Sequence, residues 1–426
     1  MIPLAPSVRS LVLVGSLVLS FGLQAQTWEV FDTTSAGFPS NSAVDIAIDR
    51  QNIVWVATDW GLCRYDGTNW QIFQTDNSGL PENTIQCIAV DTLDRLWVGT
   101  LFHGVVVYDG LTWTTFDQTN SGLPDDQILS ITIDHRNWAW VGTYLGAACY
   151  TGSEWRLYND QPTSYDGLVM NGSVINDVAV REDGLVAIAT LNGGFHYLTD
   201  TCIHYHSTFT DFFPDNTQTA VAFDPNLDQR WIATPSHGLI RHFDDWYSGL
   251  YFVYSTQSST IPSNGLTSLA MDPLGRPWMG SNYAGIFYRS EDGSFTTYNS
   301  ANSGLPDNTI SSVIFAPDGT LWVGTFYGGA ARLTIPMGIL EPSRKVALDV
   351  YPNPTSERAW VNWPHGSFGT TWRLMDVTGK VENEGTIRAD GWSELELIGL
   401  SPGIHLLQVP SNGLYSQARL VVYCMP

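Results

Sequence analysis

Aromatic residues beside polar ones recur in short segments through the first three quarters of the chain. They are Asp59-Trp60, Leu101-Phe102-His103, Tyr144-Leu145, Asn282-Tyr283 and Phe326-Tyr327, five of seven equivalent segments; the other two, Leu191-Asn192 and Pro235-Ser236-His237, hold no Phe, Tyr or Trp. Exposed rings with polar neighbours stack on sugar faces or anchor a protein partner. Trp60, Phe102, Tyr144, His237, Tyr283, Phe326 and Tyr327 are therefore the candidate ligand-binding residues. The same rings would also serve as a plug or pack on adjacent loops, and residue types alone leave that open.

Other chemistry is thinly represented. His204 and His206 are two apart, so both side chains would face one side of a strand, as a metal requires. No third ligand accompanies them, and neither a metal nor a cofactor is expected. Asp49, Asp91, Asp134, Asp224 and Asp272 end strand-like runs before turns. Carboxylates that cap turn amides are the expectation there, with calcium the lesser alternative. No nucleophile elbow, phosphate loop or HExxH occurs, so no catalytic residue is assigned. A carboxylate pair for glycoside hydrolysis depends on positions in space and is not readable from spacing.

The elements that position these residues come from a repeat of about 44 residues. Its landmark is Trp-Val-Gly-Thr, present as Trp55–Thr58, Trp97–Thr100, Trp140–Thr143 and Trp322–Thr325, with degenerate copies at Ala187–Thr190, Trp231–Thr234 and Trp278–Ser281. Each unit reads as four short strands. In the first, Val44–Asp49 alternates, Val54–Thr58 is apolar and β-branched, and Gly61–Tyr65 follows. Asp66-Gly67 then turns the chain into Trp70–Phe73. The third landmark position is always Gly or Ala, which fits strands converging on an axis. A closing-strand pattern appears first at Trp28–Phe31, ahead of any complete unit, whereas the last unit stops near Leu333 without one. The N-terminal strand is expected to complete the seventh unit and remove the open edge. The fold expected for residues 26–335 is an all-β, seven-bladed β-propeller, with the aromatic segments grouped around one mouth.

Copies such as Ile88-Ala89-Val90-Asp91, Leu96-Trp97-Val98-Gly99-Thr100 and Tyr108-Asp109-Gly110 resemble the two-component regulator propeller repeat. Such blades often form the periplasmic sensor of hybrid histidine kinases tied to glycan use. Neither a membrane span nor a kinase pattern is read here, so signalling is not expected to come with the fold.

After Leu333 the pattern changes. Residues 336–345 contain Pro336, Gly338, Pro342 and Ser343 and read as a linker. Residues 346–426 show six strand-like runs, and a small β-sandwich of immunoglobulin-like type is expected. Val350-Tyr351-Pro352-Asn353-Pro354, Met375–Lys380 and Leu400-Ser401-Pro402-Gly403-Ile404 resemble the type A sorting domain of type IX secretion. That resemblance implies a Bacteroidota-type envelope, the type IX machinery as a partner, and release or attachment at the cell surface.

Residues 1–25 carry Arg9, an apolar run from Leu11 to Leu23 and Ala25, and read as a secretory signal peptide; no apolar run is long enough for a transmembrane segment. The formal net charge is −23, and residues 26–335 hold eleven arginines, no lysine and thirty-three carboxylates. Such a surface excludes nucleic-acid binding by phosphate neutralisation and disfavours anionic polysaccharide. Five cysteines with irregular spacing, Cys63, Cys87, Cys149, Cys202 and Cys424, read as free thiols, with a disulfide left open. The expected function is non-catalytic binding of a glycan or a surface protein at the mouth. The alternatives are a structural surface protein without a discrete ligand, and an extracellular polysaccharide hydrolase or lyase.

Overall fold

Glycine at the third landmark position is imposed by crowding. A Cβ on Gly99 would lie 2.5 Å from Cys87 Sγ and 2.6 Å from Ile128 Cγ2 of the next repeat, and one on Gly142 would lie 2.9 Å from Ile175 Cγ2. Those contacts arise because successive repeats converge on an axis. The computed structural model describes residues 27–334 and 348–422, apart from 162–169, 171–173, 199–202, 209–212, 226–228, 244–250, 291–292, 352–357, 364–368, 376–379, 389–390, 398–399, 401–402 and 412–413. The expected signal peptide, linker, Cys202 and Cys424 lie outside the described residues.

Every described element is a strand, and residues 27–334 form seven antiparallel four-stranded sheets. In the first, Ala43–Ile48, Val54–Thr58, Gly61–Tyr65 and Trp70–Phe73 pair in chain order. Five more sheets follow over 85–116, 128–158, 175–206, 220–254 and 266–298. The last joins Ile310–Phe315, Leu321–Thr325 and Ala330–Thr334 to Thr27–Phe31, with Phe31 opposite Ala330 and Thr27 opposite Thr334. First strands of neighbouring sheets lie against one another, and the seventh returns to the first. The sheets therefore close into a β-propeller. One apolar cluster fills each gap between sheets; Trp97, Val105, Ile128 and Val141 are among those closing the second gap. The fourth closing strand runs Ile203–His206, one residue later than its sequence pattern suggests.

The first strands carry the inner wall. A register shift separates their first and third residues in six of the seven sheets, as between Ile85 and Cys87. A bulge leaves backbone groups without ladder partners, and side chains of the adjoining blade bond to backbone groups along this wall, in the fifth sheet as well, where the register does not shift. Asn176 Nδ2 donates to Gln218 O (2.8 Å) and Thr219 Oγ1 to Leu266 O (2.9 Å). Asp45 Oδ2 accepts from Ile88 N, and Asp177 Oδ2 from Val221 N, both at 2.9 Å.

Asp49, Asp91, Asp134 and Asp272 cap turns, as expected, whereas the turn after Asp224 includes residues outside those described. Asp91 Oδ1 accepts from Leu93 N and Arg95 N, while its Oδ2 accepts from Trp97 Nε1 (3.2 Å) and Arg95 Nε (2.6 Å). Asp134 and Asp272 repeat this with Trp140 and Trp278. The landmark tryptophan and the turn aspartate are thus two halves of one buried hydrogen bond.

Residues 348–422 form a three-stranded sheet (Asp349–Tyr351, Arg358–Trp363, Gly391–Glu396) and a four-stranded one (Val381–Thr386, Thr371–Met375, Gly403–Ser411, Leu414–Val422). They share a core that includes Val361, Trp363, Leu374 and Leu407. Strand Val381–Thr386 is absent from the sequence reading. It is an exposed edge with five of its six side chains in solvent, so it lacks the apolar alternation that marks a strand.

Gly99→Val forces branched atoms against Cys87 and Ile128 and should lower stability by about 1–3 kcal/mol, the usual cost of overpacking. An unchanged urea midpoint would mean that the inner strands are not closely packed at that point.

Candidate functional site

Each second strand ends in Thr or Ser281, or is followed directly by Thr234, and that hydroxyl latches the hairpin that follows. Thr100 Oγ1 donates to Gly104 O (2.8 Å) and accepts from His103 N (3.0 Å), and Thr234 does the same with Gly238 O and His237 N. Equivalent bonds from Thr58, Thr143, Thr190, Ser281 and Thr325 reach Gly61, Gly146, Gly194, Gly285 and Gly329. Gly104 has φ +72°, and a Cβ there would collide with Phe116 O, so no other residue fits without strain. Its amide donates to Asp126 O (2.9 Å), just as Gly285 N donates to Asn308 O and Gly329 N to Asn41 O. These bonds tie hairpins to the links between sheets and place both on one face.

The candidate aromatic residues stand on that face. Tyr144 is 46 % exposed and Tyr283 83 %, with Trp60, Phe102 and Tyr327 between them; Phe326 is 38 % exposed. Phe326 and Tyr327 are ring neighbours, with 6.4 Å between centroids. Among the described residues no candidate ring touches one from another hairpin, so the rings do not fill the mouth by stacking on each other.

Two histidine–carboxylate pairs lie among them. Glu82 Oε1 accepts from Phe102 N (2.6 Å) and sits 3.1 Å from His103 Nδ1. Asp215 Oδ2 accepts from Ser236 Oγ (2.7 Å) and sits 2.8 Å from His237 Nδ1. The imidazoles are half exposed while their carboxylates are mostly covered. An acid on Nδ1 fixes the ring and leaves Nε2 for a ligand hydroxyl or amide. Sequence reasoning had selected His237 but not Glu82, Asp215 or His103. Both acids lie in the link just before a first strand, 21 and 22 residues upstream of their histidines.

His204 and His206 pack in an aromatic cluster: His204 stacks on Tyr197 at 4.8 Å, and His206 lies 4.6 Å from His242. Burial pulls His196 down to about 4 and His242 well below its ordinary value, so both are neutral. Among the described residues, no three His, Cys, Asp or Glu side chains are placed to hold a metal ion. Cys63, Cys87 and Cys149 are buried free thiols, and burial raises all three, Cys149 to about 12.

On the inner wall, burial raises Asp45 to about 6 and Asp177 to about 7, against the opposing pull of the backbone N–H bonds they accept.

Residues 37–60, 79–102 and 304–327 match the Two component regulator propeller repeat, and residues 349–423 match the Secretion system C-terminal sorting domain. The chain carries regulator-propeller repeats and a type IX sorting domain. Each matched propeller repeat runs from an inter-blade link through two strands and stops at Trp60, Phe102 or Tyr327. The sorting domain directs the chain through type IX export to the cell surface or into the medium, and no helix among the described residues is long and apolar enough to cross a membrane.

Several solved structures share the propeller fold. The extracellular domain of a hybrid two component system from B. thetaiotaomicron is 16 % identical, with TM-score 0.60 over 93 % of this chain and 57 % of that one. PorZ, a surface component of the type IX secretion system of Porphyromonas gingivalis, is 18 % identical, with TM-score 0.59 over 92 % of this chain and 60 % of that one. Virginiamycin B lyase from Staphylococcus aureus is 12 % identical, with TM-score 0.57 over 73 % of this chain and all of that one. The regulator-propeller chain thus spans less than two thirds of the first two. No curated protein matches its sequence.

A carboxyl that protonates more readily folded than unfolded, from an ordinary 3.8, adds stability that is full below about pH 4. That stability is lost as pH rises through about 7 for Asp177. Asp177→Asn removes this loss, so from pH 5 to pH 8 the variant should gain about 2 kcal/mol relative to the unsubstituted protein. Chemical denaturation at the two pH values measures it, and a constant gap would show that Asp177 is ionised in the fold throughout.

Proposed function

We propose that the propeller binds a glycan or a protein ligand, without catalysis, on the face that carries Trp60, Phe102, Tyr144, His237, Tyr283, Phe326 and Tyr327, after type IX export. The observation that carries this reading is a set of large rings held in solvent on five of seven hairpins of one face, each hairpin latched by a Thr or Ser hydroxyl. Rings held on rigid hairpins lose little freedom on binding and offer a broad apolar contact. The oriented imidazoles of His103 and His237 supply polar contacts between them. The net charge of −23 favours neutral or cationic ligands over anionic ones.

The test is a panel of neutral and charged polysaccharides and of envelope proteins, run on the full chain and on the Trp60→Ala/Tyr283→Ala variant. Loss of two ring contacts should weaken binding at least tenfold, or about 1.4 kcal/mol, with thermal unfolding unchanged. Equal binding by both proteins, or binding by neither, would overturn this assignment of the face.

A further inference from the structure

The closing strands of the blades are alike in pattern except at one point. In every blade the second residue of the closing strand follows the aromatic or apolar residue that begins the Trp-x-x-Phe pattern. It is Gln71, Thr114, Arg156, His204 and Thr296 in five blades, and Glu29 in the blade completed by the N-terminal strand. All are polar, as suits the outermost strand. In the fifth blade it is Phe252. A second exception adjoins it. The residue after the one paired with that initial residue is Asp66, Asp109, Thr151, Ser290 or Thr334 in other blades, but Phe243 in the fifth. Repeats that share a fold share its solvent pattern, so two apolar departures side by side mark a covered place. Phe243 is 2 % exposed although it stands at the blade's outer corner.

The cover is the chain's own sorting domain. Trp392 meets Phe243 edge-on at 4.8 Å and lies 6.5 Å from Phe252, which meets Tyr351 edge-on at 5.0 Å. Phe243 and Phe252 are themselves 5.6 Å apart, edge to face. On the sorting domain, Tyr351 pairs with Trp360, and Trp392 with Asn362. Ala359, Val361 and Trp363 point into the core, so Tyr351, Trp360 and Trp392 share the opposite, outward face of the three-stranded sheet. Four rings in edge-to-face and offset geometry form a compact apolar contact between two bodies.

We propose that the outer corner of the fifth blade is a seat for the sorting domain, held by Phe243 and Phe252 against Tyr351 and Trp392. Seated, the sorting domain rests on the propeller through Trp392 and one edge of Tyr351, while Tyr351 and Trp360 stay 43 % and 47 % exposed and the four-stranded sheet lies on the far side of the core. A partner that reads the seated domain meets the four-stranded sheet, which ends in Leu414–Val422. One that reads Trp392 and the adjoining edge of Tyr351 must first displace the two phenylalanines.

Small-angle X-ray scattering of the full chain tests this. The unsubstituted protein should scatter as one compact body. Phe252→Thr, which restores the residue type of the other blades, should shift the profile to a larger radius of gyration and a longer maximum dimension. Trp392→Ser breaks the same contact from the other side with the propeller sequence untouched, and should give the same shift. Thermal unfolding of each variant separates release of the domain from loss of its fold. Three identical profiles from folded proteins, or an extended profile for the unsubstituted chain, would overturn the proposal.

Discussion

Closing a ring of sheets around an axis is the constraint from which most other features here follow. Seven first strands must approach one another at the centre, and the room left behind each of them admits nothing larger than the methyl group of alanine. Gly99 and Gly142 satisfy that limit by having no Cβ to place. The bulges at the starts of six first strands curve the chain there, and backbone groups of the inner strands are met by side chains of the adjoining blade. The wall is therefore polar and stitched across blades, whereas the gaps behind it are apolar. Closure itself rests on Thr27–Phe31 pairing with Ala330–Thr334, which joins the two ends of a chain segment some three hundred residues long. Loop closure over such a length costs conformational entropy that only the completed ring offsets.

The face opposite the strand-capping aspartates inherits its rigidity from this frame. A hydroxyl at the end of every second strand and a backbone bond to the neighbouring link hold each hairpin, so the rings there are presented and not merely exposed. The carboxylates under His103 and His237 extend the same logic to polar groups. Export through the type IX system places such a face outside the cell.

Much of this was legible in the sequence because repetition multiplies weak signals. One Trp-Val-Gly-Thr means little, but seven related copies identify blades, and the orphan Trp28–Phe31 pattern identifies the closing strand. The aromatic hairpins were legible for the same reason. The histidine–carboxylate pairs were not, because each acid belongs to a link and its partner to a hairpin two strands later, a distance that only the fold closes. The landmark's terminal Thr stood in plain view as part of the motif, yet its bonds to the hairpin glycine needed the turn geometry. Strand Val381–Thr386 escaped because an exposed edge has no buried face to betray it. Phe252 looks like one more apolar strand residue until the register lines it up with Gln71, Thr114 and Arg156.

The hydroxyl latch has a consequence for how such a surface changes over time. Its bonds run to backbone atoms, and the hydroxyl comes from the strand, so the two or three side chains between latch and glycine bear none of the load. Hairpins of different length, from Asp59-Trp60 to Leu101-Phe102-His103, sit on the same fastening. Substitutions in those few positions can accumulate independently in seven places while the scaffold beneath stays the same. The architecture thereby separates heritable variation on this face from the chemistry that keeps the ring folded.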